Sequence, residues 1–473
     1  MLVVISDLHF LDESAGRHNP AAGAFERIFF PHIVSLARSR GARELKLLLL
    51  GDTFDFIRTE HWFRDPLEER PWGRNGLADI PIPRPGSATE RRALSILGTL
   101  PADGNRESVP HDTILYNNWE SLRFFREFPH RLRAELGLPD LPVEVMLMPG
   151  NHDRIINLYP SVRDAVRDIL GITVAPGTVD GDPDGEWWYL NEYLDEPHGV
   201  FARHGQQCDF WNYGGGADLS RRGHIEMSIG EVLGVEFGAK LPYRLAELRK
   251  DFGEIPESLI DSMKDMGLVR PFTDALEWLY YSIKSMERGN VRNALERAFR
   301  EIFQELLDIP YVRTWTSPST RLDGVVRFAG TRWISWIPRI VIRRLHAENL
   351  LPFFLGIGSH PQDPDKDIHL QAAFREKIWR ENSHVRYILY GHTHFPVQRP
   401  LEGDRGRSVV YINTGSFRES IFKALGIEKK HDFMKFRQIT FSMFYRGDED
   451  LEGKEAGALS YETWSGQKKN MHL

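Results

Sequence analysis

Cysteine is almost absent from this chain of 473 residues, which contains only Cys208. A single cysteine excludes an intramolecular disulfide and any zinc cluster built from several cysteines. The composition therefore favours a reducing compartment. A metal site in this chain must take its ligands from histidine, aspartate and asparagine.

Long apolar runs are also lacking. No segment offers about 18 uninterrupted apolar residues, so we expect no transmembrane span. The N-terminal run MLVVISDLHF soon reaches polar residues, and it has neither the basic region nor the apolar length of a signal peptide. We expect a cytoplasmic protein, and peripheral contact with a membrane stays open.

Charge of either sign is not in large excess. The net charge is −7, because 60 lysines and arginines nearly balance 67 aspartates and glutamates. This balance argues against a protein that coats nucleic acid, although it allows a local basic groove. The remaining composition, 41% hydrophobic and 27% charged, is that of a soluble globular protein with a large core or a core with insertions.

Short apolar runs predict an α/β fold. We predict strands at 2–5, 45–50, 143–148, 187–190, 199–203, 386–390 and 409–413, and helices at 22–39 and 115–136. The first strands and helices have the order of a βαβ unit. Five of the strands end in Asp, His or Asn. Because ligands in α/β folds gather beyond the carboxyl ends of strands, these polar ends predict a functional site.

Two segments interrupt this pattern. Residues 57–112 are rich in proline, which predicts an irregular excursion with a short helix near 88–98. Residues 218–350 are mostly helical by pattern, as in the helix 291–307, which Asn290 can cap. We predict a core formed by residues 1–217 and 351–473, with 218–350 as a helical insertion or cap.

The strand ends carry a set of mixed oxygen and imidazole donors. They are Asp7 and His9 in SDLH, Asp52 and Asp55 in GDTFD, Asn151, His152 and Asp153 in GNHD, His204 in RHG, and His392 and His394 in GHTH. A pair of divalent transition metals needs ligands of these types. In an extended segment residues i and i+2 project the same way, so Asp7 with His9, and His392 with His394, can approach one metal region together.

The ordered set DxH, GDxxD, GNHD, HG and GHxH resembles the calcineurin-like metallophosphoesterase superfamily. The resemblance covers roughly residues 1–56, 113–215 and 380–420. It implies a four-layer αββα sandwich, here with a large helical insertion. It also implies two divalent metal ions, Mn foremost, with Fe, Zn, Ni or Co as alternatives, because the mixed ligand set tolerates all of them.

The resemblance implies a role for each residue of the set. Asp7, His9, Asp52 and His394 would surround one metal, and Asp52, Asn151, His204 and His392 the other, so Asp52 would bridge. His152 would donate a proton to the leaving oxygen, and Asp55 would orient its ring. For Asp153, a helix-capping or turn role is an equal alternative.

The activity implied is hydrolysis of a phosphodiester or pyrophosphate bond by in-line attack of a hydroxide generated at the metals, on a small or lipid-linked substrate. A repair-type nuclease, a phosphomonoesterase and a catalytically silent scaffold are the alternatives. The phosphoprotein phosphatases have other residues at the motif positions that Phe56 and the aspartate of GNHD occupy here. HGQQCD (204–209) and TGSF (414–417) resemble the branch containing UDP-2,3-diacylglucosamine pyrophosphohydrolase, which usually has arginine where His152 stands.

Several basic residues are candidates for binding substrate or membrane. Arg154 and Arg203 flank the motifs and can contact a substrate phosphate, although surface ion pairs are the usual fate of arginine. Residues 327–346 interleave arginine with tryptophan and isoleucine, which suits either an anionic membrane surface or a helix packed on the core. Nucleic acid as a partner is not favoured, and the oligomeric state is open.

Overall fold

A computed structural model describes most of the chain. The described residues are 1–73, 85–172, 187–252, 255–270, 274–285, 289–316, 367–403, 406–423, 433–452, 455 and 457–468. The basic segment 327–346 lies outside them, and so do both alternatives for it, an anionic membrane surface and a helix packed on the core. Among the described residues, no helix is long and apolar enough to cross a membrane.

The protein has an α/β fold with two mixed sheets, as the short apolar runs predicted at the level of α/β class. The strands are β1 (Leu2–Ile5), β2 (Leu45–Leu50), β3 (Val143–Met148), β4 (Glu192–Asp195), β5 (Val200–Arg203), β6 (Val269–Arg270), β7 (Tyr387–Tyr390), β8 (Pro396–Glu402), β9 (Ser408–Thr414), β10 (Glu419–Lys423), β11 (Phe433–Tyr445) and β12 (Ser460–Lys468). One sheet has the order β3-β2-β1-β11-β10-β6, with β12 paired to β11, and the other has the order β4-β5-β7-β9-β8.

Within each sheet the strands that lead to the polar motifs are parallel. In the seven-stranded sheet β1 pairs with β2 and β2 with β3 in parallel, with Val4 opposite Leu48 and Leu47 opposite Val145. In the five-stranded sheet β5, β7 and β9 are parallel. Their carboxyl ends therefore point to one edge of each sheet.

Both faces of β1, β2 and β3 are buried, because alternate side chains of a strand point to opposite faces. Val3 and Ile5 belong to a large cluster that includes Phe25 and Phe124 from flanking helices. Leu2 and Val4 belong to a second cluster, which they share with residues of β5, β7 and β9 from the other sheet. A third cluster packs β7 and β9 against Trp379 and Ala373.

Helices surround the sheets. The α-helices are Ala22–Ala24, Phe30–Ser39, Ala88–Leu97, Ile114–Asn117, Trp119–Leu136, Pro160–Leu170, Arg221–Ile225, Ile229–Leu233, Lys240–Phe252, Glu257–Lys264, Asp274–Ser285, Asn290–Asp308, Pro310–Thr316, Ile368–Arg375 and Ile378–Glu381. Two π-helical stretches, Phe25–Phe29 and Gly234–Ala239, continue neighbouring helices. The predicted helix near 88–98 is confirmed, and Ser87 caps it by accepting a hydrogen bond from the backbone N–H of Glu90.

Two sequence-based predictions of local structure, the strand at 187–190 and the Asn290 cap, were wrong, and the helix predicted at 115–136 is confirmed except for one break. Residues 187–190 are not a strand, because Asn157 Oδ1 accepts the backbone N–H of Tyr189, and β4 lies farther along the chain. The helix predicted at 115–136 breaks at Asn118, whose side chain donates to Ile114 O and Leu11 O. Asn290 does not cap its helix but is the first helical residue.

The helical insertion is joined to the core. The described parts of 218–350 are mainly helical, as predicted, but they also contain β6, which pairs in parallel with β10. The insertion therefore contributes a strand to the seven-stranded sheet. Its buried side chains, such as Leu241 and Phe299, belong to the same apolar cluster as Val3 and Ile5.

Candidate metal centre

The loops that follow β1, β2, β5 and β7 are tied together by hydrogen bonds. The backbone N–H of His9 donates to Asp52 O at 2.8 Å, which joins the loops after β1 and β2. The N–H of Gly391 donates to His204 O at 2.8 Å, which joins the loops after β5 and β7. The N–H of His392 donates to Asp7 Oδ2 at 3.0 Å and so connects the two sheets.

The first group of candidate ligands is formed by Asp7, His9 and His394. His9 Nε2 lies 3.0 Å from His394 Nε2, and His394 Nε2 lies 3.2 Å from Asp7 Oδ1. All three side chains are buried. Two imidazoles and a carboxylate that converge in this way could hold a metal ion.

Asp52, His204 and His392 form a second group that could hold a metal ion. Asp52 Oδ2 lies 3.3 Å from His204 Nε2 and 3.6 Å from His9 Nε2, so this carboxylate contacts both groups. Asn151 follows Gly150, which closely approaches Asp52 and His204, and it is buried with no hydrogen-bond partner for its Oδ1 among the described residues. A buried oxygen without a hydrogen-bond partner has a lone pair with which it can bind a metal ion.

Hydrogen bonds to the outer ring nitrogens decide which nitrogen each histidine offers. His204 Nδ1 lies 2.9 Å from Leu50 O, so it carries the proton that this carbonyl accepts. His392 Nε2 lies 3.1 Å from Asp209 Oδ2. The remaining nitrogens, His204 Nε2 and His392 Nδ1, are buried without a hydrogen-bond partner in the described part of the chain. Metal-binding histidines typically have this arrangement.

The backbone of the site is unusual. Eight non-glycine residues in the described ranges have a positive φ, and five of them are candidate ligands: Asp7, His9, Asp52, His392 and His394. Such conformations cost free energy and concentrate at functional sites. From the sequence, Asp7 with His9, and His392 with His394, were expected to be pairs in extended segments that approach one metal together. This expectation was wrong, because the positive φ values show that none of these residues is extended, and His392 and His394 belong to different groups.

Two glycines allow the close approach of these loops. A Cβ atom on Gly150 would lie 2.2 Å from Asp52 Oδ1, and a Cβ on Gly51 would lie 2.2 Å from His204 Nδ1. Gly51 also has a φ of 81°. A larger residue at either position would displace a candidate ligand.

His152 and Asp55 lie next to the first group. His152 Nδ1 is 3.1 Å from Asp55 Oδ2, and the His152 ring packs edge-on against His9 at 4.5 Å between centroids. The side chain of His152 is 19% exposed, whereas that of Asp55 is fully buried. Asp55 Oδ2 also lies 3.1 Å from His9 Nδ1 and accepts Arg58 Nε at 2.6 Å, two contacts that sequence reasoning missed.

Burial and neighbouring charge separate the pKa values of the histidines. Burial, with the charge of His152, lowers the pKa of His9 to about 4, so this ring is neutral near neutral pH. Burial also acts to lower the pKa of His204, but the Asp52 carboxylate outweighs it and raises that pKa to about 10. A metal ion must therefore displace a proton from His204, and its affinity rises with pH.

The remaining candidates have structural partners. Asp153 accepts backbone N–H groups of Thr53, Phe54 and Gly150, which fits the predicted turn role. The guanidinium of Arg154 donates to both carboxylate oxygens of Glu231.

Arg203 is likewise paired. It donates to Glu192 and to Glu376, the latter at 3.0 Å. These ion pairs occupy both arginines, so neither contributes a free guanidinium to the site.

Sequence reasoning missed two arginines and an aspartate. Arg58 follows Asp55 by three positions, and at this spacing its side chain reaches back to the Asp55 carboxylate. Asp209 is the last residue of HGQQCD, a segment that the sequence marked only as a resemblance and without a role for this aspartate. Arg270 Nη2 lies 3.3 Å from His394 Nε2. Arg270 belongs to the insertion, where no sequence pattern indicated a functional residue.

No family model matches the chain, and a search of curated proteins finds no similar sequence. The resemblance to metallophosphoesterases therefore rests on the five motifs.

Proposed function

We propose that the protein is a metallophosphoesterase that uses two divalent metal ions, with Mn foremost, to hydrolyse a phosphoester or pyrophosphate bond. The position of Asp52 carries this proposal, because its Oδ2 lies within 3.6 Å of ligand candidates from both groups. A carboxylate between two clusters of imidazole and carboxylate donors is what a pair of neighbouring ions requires.

Seven residues would hold the ions: Asp7, His9 and His394 at one position, Asn151, His204 and His392 at the other, and Asp52 at both. Bound divalent ions supply a nucleophile at neutral pH and neutralise charge on the phosphoryl oxygens. Leu50 O and Asp209 fix the rings of His204 and His392 before binding, which reduces the ordering that binding requires.

His152 is the candidate general acid. Its side chain is 19% exposed, which allows contact with a leaving group, and its Nδ1 lies 3.1 Å from the fully buried Asp55 carboxylate, which would orient the ring. Burial opposes ionisation of Asp55, but Arg58 and His152 outweigh it and keep its pKa well below the usual value. Asp55 therefore stays ionised beside the ring of His152.

The architecture supports the same proposal. Helices cover one face of the seven-stranded sheet, the second cluster lies between the sheets, and Trp379 and Ala373 cover the five-stranded sheet. This order of layers agrees with the four-layer αββα sandwich that the motifs imply. In that arrangement the carboxyl ends of β1, β2, β5 and β7 lie together, where α/β folds place their sites.

Turnover of chromogenic phosphates tests the proposal. Wild-type protein with Mn²⁺ is expected to hydrolyse bis-p-nitrophenyl phosphate or p-nitrophenyl phosphate, and a chelator is expected to abolish turnover. Asp52→Asn should lose activity, whereas Asp168→Asn, which changes a surface aspartate that is 59% exposed, should keep it. Turnover that survives both the chelator and Asp52→Asn would contradict the proposal.

A further inference from the structure

Two arginines from different parts of the chain contact histidines of the first ligand group. Arg58 donates to Asp55 and also contacts His9 Nδ1 at 2.9 Å through Nη2. Arg270, on β6 of the insertion, donates from Nη1 to Gly267 O at 3.0 Å and to Val269 O at 2.9 Å. Its other terminal nitrogen, Nη2, lies 3.3 Å from His394 Nε2.

Arg418 adds a further buried positive charge. It directly follows the TGSF segment and is 2% exposed. Its Nη2 donates to Arg17 O at 3.5 Å, whereas Nε and Nη1 have no hydrogen-bond partner in the described part of the chain. Burial, and then the charges of Arg58 and Arg270, hold the pKa of Arg418 well below its usual value, so these three groups feel one another's charge.

Arg270 and Arg418 differ from Arg58 in their partners. Arg58 pairs with Asp55, but across the described ranges no carboxylate forms an ion pair with Arg270 or Arg418. Arg418 is buried and Arg270 is half-buried. Nearby carboxylates, Asp55 among them, act on both arginines electrostatically but form no ion pair with either of them among the described residues. Burying a cation without a direct ion-pair partner is costly, and such groups in a native structure point to a missing partner. A divalent ion at His394 would increase the repulsion on Arg270, and an anion between the two would relieve it.

We propose that Arg270, with the buried charge of Arg418 in support, binds the nonbridging oxygens of a phosphoryl group that carries two negative charges. This inference rests on the proposed function and narrows its substrate class. Two guanidinium groups that form no ion pair with a carboxylate of the described residues match a dianion. A phosphate monoester or a terminal phosphate carries close to two charges at neutral pH, about −1.5 to −2, whereas a phosphodiester carries one.

The position of Arg270 gives the insertion a role in specificity. β6 is held in the sheet by β10, and Gly267 O accepts hydrogen bonds from both Arg58 and Arg270. The insertion thus presents one arginine at a fixed place beside the ligand group. Arg270 is a specificity residue in this account, because it would recognise the substrate charge without replacing any metal ligand.

Binding of inorganic phosphate tests the inference. Calorimetry would measure the dissociation constant in Mn²⁺-loaded and in chelator-treated protein, for the wild type, Arg270→Gln, Arg270→Lys and Arg418→Gln. The control is Arg131→Gln, which removes an arginine that pairs with Glu26. Circular dichroism and thermal unfolding would show whether each variant is folded, and bound Mn²⁺ would be counted in each.

We expect Arg270→Gln to weaken phosphate binding about ten-fold or more, because a charge-assisted hydrogen bond is lost. Arg270→Lys should lose less, since it keeps the charge but not the planar donors. Arg418→Gln should weaken binding by a smaller factor, and Arg131→Gln should bind as the wild type does. The ratio of kcat/KM for p-nitrophenyl phosphate to that for bis-p-nitrophenyl phosphate should also fall in Arg270→Gln.

Two results would overturn the inference: wild-type protein that binds no phosphate in either state, or a folded Arg270→Gln that binds phosphate as tightly as the wild type does. If the wild type takes up two ions while Arg270→Gln is unchanged, only this inference fails. If the wild type takes up no ions, the proposed function fails, and the chelator-treated protein still tests Arg270.

Discussion

Asp209 Oδ2 lies 3.1 Å from His392 Nε2 and leaves His392 Nδ1 buried without a hydrogen-bond partner in the described chain. The carboxylate thereby selects the ring nitrogen that faces Asp52 and His204. Burial acts to raise the pKa of Asp209, but the contact with His392 outweighs it and holds that pKa below its usual range, so Asp209 is ionised near neutral pH.

Asp209→Ala should therefore weaken binding of one of the two metal ions by about 10- to 100-fold, the usual effect of losing such a partner. Calorimetric titration with Mn²⁺ would measure this. The other ion should bind as in the wild type. Asp218→Ala, in an exposed part of the same loop, is the control, and equal affinities in the two variants would refute the role of Asp209.

His152 could be either a metal ligand or the general acid of the site. It lies close enough to His9 and Asp52 to be counted with them as a group that could hold a metal ion, but we assign it the role of general acid. His152→Ala should then keep two bound ions and lose about 10²- to 10⁴-fold in kcat. Loss of an ion from this variant would show that His152 is a ligand instead.

Gly150→Ala tests whether the close approach of the loops matters. The added methyl group would lie 2.2 Å from Asp52 Oδ1 and 2.7 Å from Asp52 N, so the loop or the carboxylate must move. We expect a loss of about 1 to 3 kcal/mol in the free energy of unfolding, together with weaker metal binding. Gly289→Ala, whose added Cβ would have no non-neighbouring atom of the described residues within 4 Å, should change neither the free energy of unfolding, measured by denaturant titration, nor metal binding. An unchanged Gly150→Ala would contradict this account.

Asp12 makes stability depend on pH away from the metal ligands. Burial raises its pKa from 3.8 to about 6, so the folded protein binds more protons than the unfolded chain between these values. Ionisation of Asp12 then destabilises the fold as the pH rises through this window, by at most about 1.4 kcal/mol per pH unit.

Asp12→Asn removes this titration. The free energy of unfolding of Asp12→Asn relative to the wild type should therefore increase as the pH rises from 3.8 to about 6. Thermal and denaturant unfolding of both proteins across the window would measure the difference. A difference that is constant with pH, or that decreases, would exclude the assigned role.

The parts of the fold that could be predicted are those with strong local signals. β1, β2 and β3 have the predicted bounds, because each is a continuous apolar run followed at once by polar residues. Residues 187–190 have a similar apolar character, but a side chain, Asn157, pairs with the backbone there. Periodicity does not reveal such a partner.

The candidate metal centre, like the fold, could be predicted from the sequence only in part. The motifs predicted that Asp52 and His204 belong together, and they lie 3.3 Å apart. The left-handed backbone of the ligand residues was not predictable, because it depends on contacts between loops that are distant in sequence. Arg270 was also missed, since a strand of two residues is too short to give a pattern and its position depends on pairing with β10.

The stoichiometry of bound metal tests the central claim most directly. Protein treated with a chelator, then loaded with Mn²⁺ and freed of excess ion, should contain two ions per chain, and Asp52→Asn should lose affinity at both positions because Asp52 contacts both ligand groups. Wild-type protein that binds no Mn²⁺, Fe²⁺, Zn²⁺, Ni²⁺ or Co²⁺, or Asp52→Asn that still binds two ions as tightly, would contradict the account.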